Sequence, residues 1–361
     1  MIKLLVVDDS PLIRRLLGDL FAAEGDFDVS FARDGAEALE KLESVRPDVI
    51  TLDVQMPKLD GLACLDRIML QRPTPVVMAS SVTVEGAAEA LRAIELGAVD
   101  VIAKPGGAVS LRMDDFGPPL VEKVRAAAQA RLRPSHRLRE RVRARVLQAA
   151  GSPGPPRAAR LRAPAPQTMA AEGLVVVGCS TGGPPALDAL LAPLPAAFPW
   201  PIVVAQHMPG TFTAALARRL DTLTGLTVTE VRQLTPLNPG SVYVARGDAD
   251  MILSRRGGRL VALSAPADSA WRWHPSVDRL VESAMEQLPA SSIVGVLMTG
   301  MGNDGAMTMT RLAQAGGRTL AESEATAVVW GMPGELARAG GASQVCDLDD
   351  LAAALMQMVM A

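Results

Sequence analysis

The sequence predicts an α/β protein of two parallel-sheet domains. Three observations carry that prediction. Short apolar runs alternate with helical patterns through residue 130, the same alternation resumes after residue 173, and a stretch rich in Arg, Pro and Gly parts the two. At 361 residues the chain has room for two domains, each with its own core.

In the first half the strands are expected at Lys3–Val7, Asp28–Ala32, Val49–Leu52, Val76–Ala79 and Val99–Ile102. Between them, Pro11–Ala23 and Ala36–Ser44 carry apolar residues at helical spacing (Leu12, Leu16, Leu17 and Leu20; Ala38, Leu39 and Leu42). Residues 131–172 break the pattern. Seven arginines crowd positions 131–145, followed by Gly151-Ser152-Pro153-Gly154-Pro155-Pro156 and Ala163-Pro164-Ala165-Pro166, a composition that reads as a linker. The arginines fit a solvated face that keeps the linker extended, or an anion-binding patch. In the second half, strands are expected at Leu174–Val177, Ile202–Ala205, Val242–Val244 and Ile293–Leu297. Helices are expected near Pro184–Leu191, Phe212–Leu220, Ser276–Gln287, Asp304–Ala315 and along the carboxyl end from Leu348. A β-hairpin insertion is expected at Met251–Ser254 and Arg259–Leu263 around Gly257-Gly258.

Composition narrows the class. With 49% hydrophobic and 21% charged residues the chain is ordinary for a soluble protein, and 3% aromatic residues predict cores of Val, Leu, Ala and Met. A net charge of −3 argues against general attraction to nucleic acid. No apolar run approaches the ~18 residues of a membrane span, and Asp8 and Asp9 come too early for a signal peptide. Cys64, Cys179 and Cys346 lie in no metal spacing and read as reduced thiols. A cytoplasmic monomer without nucleic-acid partner or membrane insertion is expected.

Polar residues fall at the strand ends, where ligands collect in parallel sheets. In the first half these are Asp8 and Asp9, then Asp53, Ser80 and Lys104. Clustered carboxylates repel unless a cation neutralises them, and hard oxygen ligands suit Mg²⁺. A metal beside an aspartate also suits phosphoryl transfer to that carboxylate, with Lys104 and Ser80 placed to contact the phosphoryl group. The alternative is a carboxylate–lysine network that holds loops together. The residues Val-Asp-Asp-Ser at 7–10, Leu-Asp-Val-Gln-Met-Pro at 52–57, Asp60-Gly61 and Ala-Lys-Pro at 103–105 resemble the response-regulator receiver family over about residues 1–125. That resemblance implies a flavodoxin-like fold, Asp53 as phospho-acceptor, Asp8 and Asp9 with Asp53 as Mg²⁺ ligands, Ser80 and Lys104 as phosphate contacts, and a histidine kinase as phosphodonor. It departs at Val101, where many receivers carry Tyr or Phe.

In the second half, Gly178-Cys179-Ser180-Thr181-Gly182-Gly183 follows an apolar run and frames Ser180 as Gly-x-Ser-x-Gly. Such a turn either exposes a nucleophilic hydroxyl or wraps a phosphate with N–H groups. A serine nucleophile needs an imidazole to take its proton and a carboxylate to orient that imidazole. Of three histidines, His136 lies in the linker and His274 precedes a helix, which leaves His207 as the best-placed base. Asp304 follows the Ile293–Leu297 strand through a glycine-rich turn, and backbone N–H groups near Thr181 and Met301 suit an oxyanion. Cys179, adjacent to Ser180 on an extended segment, is expected to point into the core.

Gly-Cys-Ser-Thr-Gly-Gly at 178–183, Gln-His-Met-Pro at 206–209, Pro-Ser-Val-Asp at 275–278, Met-Thr-Gly-Met-Gly-Asn-Asp-Gly-Ala at 298–306 and Gly-Met-Pro at 331–333 resemble the methylesterase domain of the CheB family of chemotaxis regulators, over about 173–358. The resemblance implies a doubly wound esterase domain after a linker at 126–172. It also implies Ser180 as nucleophile, His207 as base, Asp304 as orienting carboxylate, and Thr181 and Met301 at the oxyanion. The implied activity is phosphorylation-activated hydrolysis of glutamate γ-methyl esters on chemoreceptors, with deamidation of receptor glutamines as a second reaction and no cofactor for the ester chemistry.

Overall fold

Residues 1–81, 83–104, 113–132 and 173–360 are described in the computed structural model. Most of the expected linker, with all its arginines but Arg131, falls outside them. The chain divides into two compact units, Met1–Leu161 and Arg162–Ala361.

The first unit holds β1 (Ile2–Val7), α1 (Pro11–Glu24), β2 (Phe27–Ala32), α2 (Gly35–Val45), β3 (Val49–Asp53), α3 (Gly61–Gln71), β4 (Val76–Ser80), α4 (Val84–Leu96), β5 (Asp100–Ala103) and α5 (Met113–Ala128). The five strands pair in parallel in the flavodoxin-like order β2-β1-β3-β4-β5. The expected strands stand within a residue or two of their observed ends, because each is dominated by apolar residues, most completely in the central β1, β3 and β4. Polar residues beyond them are helix caps: Ser10, Asp34, Asp60 and Thr83 each accept from a backbone N–H in the first turn of the helix that follows. Gly61 is required, since a Cβ there would lie 2.1 Å from the Asp53 carbonyl oxygen. The closing helix runs to Ala128, three residues beyond the expected end of the domain at 125.

The second unit holds β6 (Leu174–Cys179), α6 (Gly183–Leu191), β7 (Ile202–Gln206), α7 (Gly210–Leu223), β8 (Thr227–Val231), β9 (Thr235–Pro236), β10 (Ser241–Ala245), β11 (Ala249–Arg256), β12 (Arg259–Pro266), α8 (Val277–Gln287), β13 (Ile293–Leu297), α9 (Ala306–Gln314), β14 (Arg318–Glu322), α10 (Met332–Arg338), β15 (Gln344–Cys346) and α11 (Leu351–Met360). Seven strands form an all-parallel sheet, β15-β14-β13-β6-β7-β10-β8. From β6 the chain goes to β7, on to the edge strand β8 and back to β10 between them, and from β13 it winds outward the other way through β14 and β15. The sheet is therefore doubly wound, and its switch point lies between β6 and β13. The hairpin β11–β12 turns through Gly257 (φ 55°) and Gly258 (φ 78°), positive angles that suit a two-residue turn, and β9 adds a third antiparallel strand. Among the described residues, no helix is long and apolar enough to cross a membrane, and all three cysteines are free thiols.

Candidate active site

The strands around the switch point are fully buried, so their carboxyl ends deliver the first polar side chains to one edge of the sheet. Cys179 pairs in register with Gln206 across β6 and β7. Alternation then sends Cys179 and Gln206 to one face and the next residues, Ser180 and His207, to the other. The main chain holds that register past the strands: His207 N–H donates to the Cys179 carbonyl at 3.1 Å, and Ser180 N–H to the Thr299 carbonyl at 2.9 Å. Cys179 points inward as expected and is wholly buried. Burial also pushes its thiol pKa well up, so it stays a protonated thiol.

Asp304 arrives from β13. Its Oδ2 lies 2.8 Å from His207 Nε2 and accepts from Val277 N–H at 2.7 Å, while Oδ1 accepts from Asp278 N–H at 2.9 Å and the Ser276 hydroxyl at 3.2 Å. The donors Val277 and Asp278 are the first residues of α8, so the carboxylate sits on a helix N-terminus. Burial alone would raise its pKa. The hydrogen bond and charge of His207, with the two backbone N–H groups, outweigh burial and hold it below the usual carboxylate range. An ionised carboxylate only accepts, so His207 Nε2 carries the proton and Nδ1 keeps the lone pair left for the serine. Among the described residues, no hydrogen bond yet joins the Ser180 hydroxyl to that nitrogen. The Trp273 ring lies parallel to the imidazole, 6° apart with centroids at 5.9 Å, and covers one face of it.

Thr181 is buried and Met301 half-buried, on the two loops that flank Ser180. Three residues that were not singled out from sequence tie these loops together. The Thr299 hydroxyl donates to the Thr181 carbonyl at 2.8 Å and accepts from Val329 N–H at 3.0 Å. Glu322, fully buried at the end of β14, accepts from Thr299 N–H at 2.8 Å. Gln206 bridges β6 and β7. Gln206 carried a readable signal, a polar residue closing an apolar strand, whereas Thr299 lies two residues past β13 and Glu322 closes a strand that itself opens on a charge.

In the first unit, Lys104 Nζ lies 2.8 Å from Asp8 Oδ2 and 2.7 Å from Asp53 Oδ2. Burial pushes the Asp53 carboxyl up against the pull of Lys104, and the Asp8 charge adds to the rise. Burial would lower Lys104, but its two carboxylate neighbours hold it above its ordinary value. Oxygens of Asp8, Asp9 and Asp53 all lie within 4.8 Å of one another, an all-carboxylate donor set that fits a hard divalent cation such as Mg²⁺. Ser80 is buried at the end of β4, with its hydroxyl turned to the Gly86 carbonyl at 2.9 Å. Val101, in β5, is buried.

The aspartates gathered beside Lys104 in one unit, and the serine, imidazole and carboxylate brought to the switch point of the other, are the side chains that a phospho-regulated serine hydrolase would use. Comparison with known proteins gives the family. Residues 4–113 match the response regulator receiver domain and residues 175–355 match CheB methylesterase. The protein-glutamate methylesterase/protein-glutamine glutaminase 2 of Rhodopseudomonas palustris is 55% identical over 99% of this chain and 98% of its own length. That named protein-glutamate methylesterase/protein-glutamine glutaminase 3 in Rhodospirillum rubrum is 49% identical over 98% and 95%. The crystal structure of the Thermotoga maritima CheB methylesterase catalytic domain is 38% identical and covers 52% of this chain and 98% of its own, with a TM-score of 0.50. The chain belongs to the CheB methylesterase family.

Proposed function

We propose that this chain is a protein-glutamate methylesterase and protein-glutamine glutaminase that acts on chemoreceptors and is activated by phosphorylation. The supporting observation is the Cys179–Gln206 register, which sets Ser180 beside His207, together with the 2.8 Å contact that brings Asp304 to the far side of the same imidazole. Ser180 Oγ attacks the ester carbonyl carbon while His207 Nδ1 takes its proton. The N–H groups of Thr181 and Met301 receive the oxyanion, and Asp304 stabilises the imidazolium through Nε2. His207 returns the proton to the departing methoxide, which leaves as methanol. Water, deprotonated by the same nitrogen, then cleaves the acyl-enzyme to glutamate and free Ser180. With a glutamine substrate the leaving group is ammonia.

The receiver occupies 1–125, the linker 126–172 and the esterase 173–358, with the receiver's closing helix running three residues into the linker range. Asp53 accepts the phosphoryl group from a histidine kinase, with Lys104 and Ser80 as its contacts. Asp8, Asp9 and Asp53 would hold Mg²⁺, which would offset negative charge on the phosphoryl oxygens. The ester chemistry itself runs on side chains. Three free thiols fit a reducing compartment such as the cytoplasm, and a net charge of −3 argues against general attraction to nucleic acid. Ser180→Ala tests the central claim: methanol release from methylated receptor is expected to vanish with the melting temperature unchanged, and retained turnover would reject the serine mechanism.

A further inference from the structure

Gln206 is 1% exposed, and its amide is fully engaged. Nε2 donates to the Ser180 carbonyl at 2.9 Å and to the His207 carbonyl at 3.1 Å, while Oε1 accepts from the Cys179 thiol at 3.1 Å. An amide nitrogen has two hydrogens, and here each serves one of the two main chains that carry the reacting side chains. The two carbonyls, which can only accept, fix which way the amide faces, because a flip would set Oε1 against both of them. Gly183 leaves room for it: a Cβ there would lie 1.9 Å from Gln206 Oε1.

We propose that Gln206 is a positioning residue, whose amide staples the backbone of the nucleophile to that of the base and so sets the hydroxyl–imidazole separation. The inference rests on the serine-esterase reading. Gln206 touches neither Ser180 Oγ nor the imidazole ring, so it acts through placement and leaves protonation alone. A mismatch of about 1 Å between reacting groups costs up to roughly 100-fold in rate.

The test uses the full-length protein, with rates counted per Ser180 titrated by a serine-directed phosphonate. Gln206→Met keeps the length and loses the hydrogen bonds. Its kcat is expected to fall roughly 10- to 100-fold, with KM and the midpoint of the pH–rate profile unchanged. A kcat per titrated site equal to wild type would overturn the proposal, because a merely structural role removes folded molecules and leaves the survivors fully active. Gly183→Ala repeats the test with the amide present but displaced, and decides the matter should Gln206→Met fail to fold. It is expected to lower kcat in the wild type and to add nothing to Gln206→Ala; additive losses would overturn the staple. Ser180→Ala separates the two levels. Turnover in that variant sinks the mechanism and the staple together, whereas a dead Ser180→Ala beside a fully active Gln206→Met sinks the staple alone.

Discussion

Replacing Asp304 by Asn asks the most of the site, because both carboxylate oxygens are doubly used. Oδ2 receives His207 Nε2 and Val277 N–H, and Oδ1 receives Asp278 N–H and the Ser276 hydroxyl. Asparagine offers one oxygen, so its NH₂ must confront a backbone N–H whichever way it turns. With NH₂ toward Val277 and His207, Nε2 becomes an acceptor and the proton moves to Nδ1, the nitrogen that should receive the serine's. With NH₂ toward Asp278, the tautomer survives but the counter-charge is gone. Loss of the working tautomer costs about 10⁴-fold in kcat in a comparable triad, equivalent to about 5.4 kcal/mol at 1.36 kcal/mol per tenfold. The unpaired N–H costs about 1–3 kcal/mol of stability, or roughly 2–12 °C in melting temperature for a domain of this size.

The pH dependence has a definite sign. Asp304 is held below the usual carboxylate range, so its contribution is present above the ordinary pKa of about 3.9 and is lost as pH falls through the lowered value. The stability gap between wild type and Asp304→Asn should therefore narrow on acidification. Asp278 partly offsets this. Burial and the Asp304 charge push its carboxyl up, and removing that charge lets it relax downward. Methanol release and thermal melts from about pH 7 down to pH 3 would measure both effects. A variant within tenfold of wild-type kcat, or a gap that widens at low pH, would refute the placement of charge argued here.

Gly300→Ala would put a Cβ 2.4 Å from Met332 Sδ and 2.8 Å from Ser180 Cβ, so a melting-temperature loss worth about 1–3 kcal/mol is expected, with a larger fall in kcat. Cys179→Ser should keep methanol release near the wild-type rate, and native Cys179 should resist alkylation that reaches the half-buried Cys346; a dead Cys179→Ser that still folds would reopen the choice of nucleophile. Asp53→Asn should abolish stimulation of methanol release by acetyl phosphate, and chelation of Mg²⁺ should abolish it in the wild type; stimulation that survives either change would move the acceptor elsewhere. Trp273→Ala strips the ring stacked on His207 and should lower kcat about 2- to 10-fold, the worth of one aromatic pair, as steady-state rates will show.

The sequence made the central strands of both sheets legible because each is an apolar run that stops at a polar residue. Outer strands were harder to read. Thr227–Val231 alternates as an edge strand does, Arg318–Glu322 opens and closes on charges, and Gln344–Cys346 has three residues, two of them exposed. The hairpin at Gly257-Gly258 was readable, since two adjacent glycines between β-rich runs leave few alternatives, whereas its third strand, Thr235–Pro236, was too short to signal itself. Within the site, residues at the tips of strands could be found from pattern alone. Gln206, Thr299 and Glu322 stand at such tips too, but what they do depends on main-chain groups up to 118 residues away, and no spacing encodes that. The helix N-terminus under Asp304 was hidden for the same reason. A helix beginning near Ser276 was visible, while the register that aims α8 at residue 304 is set only by packing.

Strand order also explains why the oxyanion loop and the triad are one construction. His207 follows β7 and Asp304 follows β13, with β6 between them, yet the two side chains are bonded. The segment Thr299–Asp304 must therefore cross over the end of β6, directly above Ser180. Gly300 marks the crossing, where any Cβ would strike Ser180, and Gly302 (φ 81°) and Gly305 (φ 84°) turn the chain into α9, Gly305 as its N-cap. Met301 is carried into that crossing between two glycines, and in the oxyanion role proposed for it the same path that delivers the carboxylate would bring its N–H to the hydroxyl's side. A change that widens the crossing should thus weaken the oxyanion donor and the imidazole's orientation together. In a double-mutant cycle, Gly300→Ala and Asp304→Asn should lose far less than the sum of their separate effects on kcat; strict additivity would mean that loop and carboxylate act independently.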